Sequence, residues 1–287
     1  MSQDSAGTRD ATRSRTRPRP VDNTDWLKTA AIILVLVGHF GHFFVADDRW
    51  WSAFARPAAP PFFFLLGYAQ SRTVPLRWIW FGVILTVLES WNDDWRWVAP
   101  NILLSLALIR LVRPYVQILL QRHGWAAFTL LVIALGALAP FVGKIVDYGA
   151  EGWLWALFGL CQRMYVDSRA AANVDGAGQS PAPAARATIT NIWLMRLVAC
   201  LIAVVVYVWQ EQAEFSFRPP QLAAFILGIG VLSASLCLFR RGPSRIQPPR
   251  PIAGTLRFIG RYTLEIYAIE LAAFELSIQF LPDLAAG

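Results

Sequence analysis

Charge is scarce in this chain. Only 16% of its 287 residues are Asp, Glu, Lys or Arg, while 56% are hydrophobic; a water-soluble domain carries about a quarter charged residues. That deficit excludes an ordinary soluble globule. Histidine and cysteine are sparse too, with three of each. Cys161, Cys200 and Cys237 are odd in number, far apart in sequence and each inside an apolar run. Such spacing excludes a disulfide framework or a Cys-based metal knuckle and leaves apolar packing. No internal repeat is visible, which counts against transporters built from duplicated halves. Lysine is nearly absent, so the formal charge of +7 is carried almost wholly by arginine. Those arginines fall between apolar runs rather than on one stripe or arm, so no nucleic acid is expected as partner.

What the chain does have is long uncharged apolar stretches. Nine candidate segments lie near 27–46, 57–71, 77–92, 97–112, 124–143, 150–166, 191–210, 219–239 and 256–281. Runs of about 17–25 such residues read as transmembrane helices. The expected fold is therefore all-α: a polytopic membrane bundle of about nine segments, embedded in the lipid bilayer. The second and fourth segments are short, and composition does not decide whether 57–71 spans or re-enters.

Loop charges give this reading a direction. The Arg-rich residues 1–24 form an expected disordered tail, followed by a run without a small-residue cleavage site, so the first helix is expected to be retained. With that tail cytoplasmic, the inside loops collect Arg72 and Arg77, then Arg110, Arg113 and Arg122, then Arg163, Arg169 and Arg186, then Arg240, Arg241, Arg245 and Arg250. The outside loops collect Asp47, Asp48, Asp93, Asp94, Glu151, Glu211 and Glu214. This is the asymmetry of the positive-inside rule. Tryptophans such as Trp26, Trp50, Trp78, Trp97, Trp125 and Trp209 sit near segment ends, as indoles at the headgroup layer do. Residues 25–166 then form a block of six segments and 191–287 a block of three. The Ala/Gly/Pro-rich stretch 167–190 is expected to join them as a flexible cytoplasmic linker.

Against that background, polar groups inside apolar runs need a reason. His39 and His42 lie three apart, on one face of the first helix, with Gly38 and Gly41 beside them permitting close approach of a helix or ligand. Lys28 stands about 16 Å before His39 along a helix, so both imidazoles are deep. Packing, a proton site and a catalytic base all account for such a pair. No Cys or carboxylate is near in sequence to complete a metal shell, and no metal is expected. Glu89 reads as part of a solvated loop. The final segment holds Arg257, Arg261, Glu265, Glu270 and Glu275. Arg261 and Glu265 are spaced to pair on a helix. Glu270 needs a proton of its own or a cation from another helix, with Arg196 and protonated His39 as candidates. Arg56, with Pro57, Pro60 and Pro61 after it, marks a stiff non-helical lead-in to the second segment, which ends with Gly67 and Tyr68.

Three stretches, "DWLKTAAIILVLVGHFGHFF", "RPAAPPFFFLLGYAQSR" and "FIGRYTLEIYAIELAAFE", together resemble the signature regions of the TraX-like proteins. These are polytopic bacterial membrane proteins related in character to the family 3 acyltransferases. The resemblance implies an inner-membrane acyltransferase moving a short acyl group, acetyl from acetyl-CoA, to a pilin or envelope acceptor (a protein N-terminus or a glycan). It places His39, Arg56, Tyr68, Glu265 and Tyr267 in the matching motifs. Two positions depart from the family pattern: Gly38 stands where an Asp is common before the histidine, and Glu270 where a His or Gln is frequent. In the expected chemistry His39 is the base, assisted by His42 and oriented by Glu265 or Glu270, with Arg56 or Tyr68 stabilising charge. Acyl-CoA is a co-substrate rather than a tightly bound cofactor, its phosphates drawn to Arg240, Arg241, Arg245 and Arg250. The rivals are a proton-coupled multi-pass transporter relaying protons through His39, His42 and Glu270, and a non-enzymatic member of the family.

Overall fold

In a computed structural model the described residues are 19–45, 48–95, 98–142, 145–175 and 183–280, and apart from one isolated bridge between Asp22 and Pro243 they form only helices and turns. Residues 1–18, Asp47, Arg96, Trp97 and Lys144 lie outside them. The helices are α1 (Asn23–Phe44), α2 (Arg49–Ala55), α3 (Ala59–Tyr68), α4 (Leu76–Asn92), α5 (Ile102–Val142), α6 (Gly149–Asp175), α7 (Pro183–Phe215), α8 (Pro219–Leu238) and α9 (Arg250–Phe280). Four of them, α1, α5, α7 and α8, are long and apolar enough to cross a membrane by length and composition. They turn large apolar side chains outward, among them Leu130, Leu201 and Leu227. Water would not tolerate so much exposed hydrocarbon; lipid does.

As one straight rod, α5 would measure about 60 Å, yet the Ser105 hydroxyl donates to the Asp147 carbonyl at 2.7 Å and the Asp147 N–H to the Pro100 carbonyl at 3.3 Å. Those contacts require the helix to double back. It does so at Gly124, whose φ of 52° and ψ of −125° are non-helical and sterically open mainly to glycine. The two arms correspond to the separate segments expected at 97–112 and 124–143.

Around 57–71 the expected stiff lead-in is replaced by a broken helix. One 3-10 turn, Arg56–Ala58, links α2 to α3, and Pro60 and Pro61 sit inside the first turn of α3. Proline fits there because those N–H groups have no helical acceptor. The ten-residue α3 is almost wholly buried, with Phe63 and Phe64 fully so. It docks on α6 backbone to backbone: a Cβ on Gly67 would fall 1.8 Å from the Ala156 carbonyl oxygen, and one on Gly159 would fall 2.0 Å from that of Phe64. Small residues at both positions make this approach feasible.

Helix ends gather at two poles. At one, Asn23 bonds Gly242, Ser244 bonds Val21, and the Arg241 N–H reaches the Tyr68 hydroxyl at 3.4 Å; this basic pole carries the α8–α9 connection. At the other, Arg49 meets the carbonyls of Phe215 and Ser216, and Asn92 meets Glu275; this is the acidic pole. Within 167–190, α6 runs on to Asp175 and α7 starts at Pro183, while 176–182, the middle of the expected linker, lie outside the described residues. Alanines at both helix ends favour helix. Although Cys200 and Cys237 are distant in sequence, their sulfurs lie 3.9 Å apart across the α7–α8 contact.

Candidate functional site

The first helix begins with a capping box: Asp22 accepts from the Asp25 N–H at 2.8 Å, and Asp25 accepts in return from the Asp22 N–H at 3.0 Å. At this end α1 meets α9 closely: a Cβ on Gly260 would fall 2.5 Å from Asp25 Oδ1. Further along α1, His39 Nδ1 lies 2.8 Å from a carboxylate oxygen of Glu270 on α9. Of the two partners expected for Glu270, the structure selects His39; Arg196 instead donates to Gln162 and to the Cys237 carbonyl. A neutral imidazole in this pair carries its proton on Nδ1, so the lone pair is on Nε2. The Tyr267 ring stands 5.7 Å from that of His39, and its hydroxyl accepts from the Asn101 amide at 3.1 Å.

Gly38 and Gly41 admit the close approach of α2, and Gly38 also borders the cavity that the histidines line. A Cβ at 38 would lie 2.5 Å from that of Ala55, and one at 41 would lie 2.2 Å from that of Trp51. There is thus no room for an aspartate at 38 while α2 packs here.

His39 and His42 line a cavity of about 410 Å³ together with Arg56, Glu89, Asp147 and Glu275. This size and mixed lining suit a small-molecule site. Its wall also includes Val98, Ala99, Glu214 and Phe215, which places it toward the acidic pole. Glu89 belongs to α4 and borders this cavity, rather than lying in a solvated loop: the helix runs three residues beyond it.

Arg56 enters from the 3-10 turn, where the break between α2 and α3 frees the backbone. Its Nε lies 3.2 Å from buried Glu211, its Nη1 donates to the Tyr148 hydroxyl at 3.1 Å, and its guanidinium covers the Phe215 ring at 4.1 Å. The Arg56 carbonyl accepts from Tyr207 at 2.8 Å. Glu214, largely exposed and 3.9 Å away, adds little. A second cavity of about 440 Å³ adjoins the first and shares Arg56, Asp147, Tyr148 and Glu214 with it.

Asp147, in the turn between α5 and α6, went unnoticed in the sequence. Although partly open to the cavity, its carboxyl is pushed up to about 7 by burial, against the pull of Arg56. The folded protein therefore binds this proton between about pH 4 and 7 while the unfolded chain has released it, so the group costs stability progressively across that window. Asp147→Asn is expected to melt increasingly above wild type as pH rises from 5 to 8, and a constant gap would refute the assignment.

Other expected site residues lie elsewhere. Glu265 does not pair with Arg261; it meets Arg77 at 2.9 Å. Tyr262 breaks helical geometry between them, with φ −109° and ψ 23°, which destroys the four-residue register. Tyr68 is buried at the basic pole against Phe64 and Phe239, with Arg163 over its ring, and does not line the histidine cavity. Arg240, Arg241 and Arg245, on the α8–α9 connection, and Arg250, the first residue of α9, are exposed and do not line it either. Arg56's partners Tyr148 and Glu211 were missed as site residues; Glu211 read as a loop acid, whereas it is on α7 and faces inward.

No curated protein and no solved structure matches this chain. One family does, described as TraX protein, over residues 23–227. The match carries α1 with both histidines, the broken α2–α3 unit with Arg56, and Glu211, and it stops within α8, before the helix that supplies Glu270. On that extent of agreement, most of the helical bundle and one wall of the histidine cavity included, the chain belongs to the TraX family.

Proposed function

We propose that this protein is a bacterial inner-membrane acyltransferase. It moves a short acyl group, acetyl from acetyl-CoA, to an acceptor such as a pilin N-terminus or an envelope component. The observation that carries the reading is the 2.8 Å contact of Glu270 with His39, whose imidazole lines a cavity of mixed polar and apolar wall. Glu270 holds the imidazole in the tautomer whose Nε2 takes the acceptor's proton, and it stabilises the imidazolium that results. Arg56, which lines the same cavity, steadies negative charge on the carbonyl oxygen. The two departures from the family pattern offset each other. Gly38 removes a carboxylate that α2 leaves no room for, and Glu270 brings one from α9.

In this proposal nine crossings thread the membrane: α1, the broken α2–α3 unit, α4, each arm of α5, and α6 to α9, with the N-terminus cytoplasmic. Support comes from the alternation of helix ends between the poles and from the arginines of one and the acids of the other. The acceptor then enters from the acidic side. A donor held by its phosphates at Arg240, Arg241, Arg245 and Arg250 extends its thioester arm along the α1–α9 seam. On that route Lys28 donates to the Gly260 carbonyl at 3.0 Å, a contact that closes the seam about 16 Å short of His39 and has to part for the arm to pass.

The test is transfer of labelled acetyl from acetyl-CoA by purified protein in lipid, wild type against His39→Gln. Equal transfer by both would remove the proposed base. Acetyl transfer absent from wild type, with proton uptake coupled to a solute instead, would favour the relay reading, in which His39, His42 and Glu270 pass protons.

A further inference from the structure

A cavity of about 290 Å³ lies away from the histidine site, between the two arms of α5 and helix α6. Its walls are aliphatic and aromatic, with Val112, Leu135, Leu157 and Trp153 among them, and one charged group, Arg113. From Ala150 to Leu160 along α6 it spans about 15 Å. Leu138 both lines it and is 49% exposed on the outer surface, so it communicates sideways with whatever surrounds the bundle.

Arg113 is only 7% exposed. Its Nε donates to the Gly67 carbonyl at 3.1 Å and its Nη1 to Gln117 at 2.7 Å, while Nη2 is buried with no hydrogen-bond partner among the described residues. A buried guanidinium nitrogen left unpaired is costly, and an anion is its natural complement. Arg163 lies close by, its guanidinium 5.4 Å from the ring of Tyr68, next in sequence to Gly67, but its charge is met by Asp167 at 2.7 Å. An apolar slot with half-exposed Leu138 on its wall, beside a guanidinium that keeps one nitrogen unpaired, has the chemistry of an anionic amphiphile turned inside out.

We propose that this slot holds one acyl chain of a membrane phospholipid, whose phosphate pairs with the Arg113 guanidinium once that side chain turns toward the slot. The lateral opening at Leu138 favours a bilayer source over a free fatty acid from water. The volume suits a single chain and leaves the second in the surrounding bilayer. Seated there, the lipid tail joins the α5 hairpin to α6 independently of any catalysis at His39.

Native mass spectrometry of the full chain in detergent, titrated with dioleoylphosphatidylglycerol, tests this, with oleate as a second arm. Wild type is expected to retain one phospholipid under conditions that strip the rest. Arg113→Gln should weaken that retention by about tenfold or more, the loss of a charge-assisted hydrogen bond. Leu135→Trp, which leaves the guanidinium intact and fills the slot, should do the same with little change in melting temperature. Equal retention by all three proteins overturns the proposal. So does retention of oleate in preference to the phospholipid.

Discussion

Substituting His39→Gln is expected to lower acetyl transfer by about 10²- to 10⁴-fold, the range that a positioned general base contributes. The fall should appear in kcat with KM little changed, because the imidazole works on the acceptor's proton and not on ground-state binding. Glu270→Gln is expected to fall less. Its amide can still accept from Nδ1–H and hold the ring, but it cannot stabilise the imidazolium. His42→Gln should be milder again, since no carboxylate is paired with it among the described residues, although it shares the cavity. Steady-state kinetics on the three variants checks the order. If Glu270→Gln matched wild type while His39→Gln was dead, the carboxylate would have no part in catalysis.

Arg56→Met is expected to destabilise the protein by about 3–5 kcal/mol, because it strands the Glu211 carboxylate, 4% exposed, without its cation. Removing both charges, Arg56→Met with Glu211→Gln, should recover most of that loss, since what costs energy is an uncompensated ion and not the missing pair. Reversible unfolding in detergent measures the cycle. If the single effects add to within about 0.5 kcal/mol, the two residues do not interact. Activity should behave differently. An Arg that steadies the oxyanion is worth about 10²–10³ in kcat, and the restored double variant would still lack it. Stability regained without turnover therefore distinguishes a role in chemistry from a role in packing.

What could be read from the sequence was whatever is energetically out of place along the chain. Two imidazoles and a carboxylate inside apolar runs must find partners or water, and His39 and Glu270 found each other on the two helices expected to meet. The break between 97–112 and 124–143 was visible too, as the end of one apolar run and the beginning of the next. Arg56's partners were not legible, because Tyr148 and Glu211 are 92 and 155 positions away and only the packing of α6 and α7 brings them in. Local spacing misled at Arg261 and Glu265, where the break at Tyr262 interrupts the helix that four-residue spacing presumes. The arginines of the α8–α9 connection were read by charge alone. Charge places them at a pole, but only topology reveals that the histidine cavity lies toward the opposite one.

The dihedral angles at Gly124 mirror those of the second residue of a type II turn, and a Cβ there would meet nothing within 4 Å. The tip of the α5 hairpin thus demands a particular handedness of backbone but no particular volume, the reverse of the crowded Gly67. Uncrowded tips of this kind are where chains accept inserted peptide. An epitope spliced beside Gly124 would leave the bundle undisturbed. Its exposure to antibody in sealed vesicles of known sidedness would then assign an orientation to every helix at once.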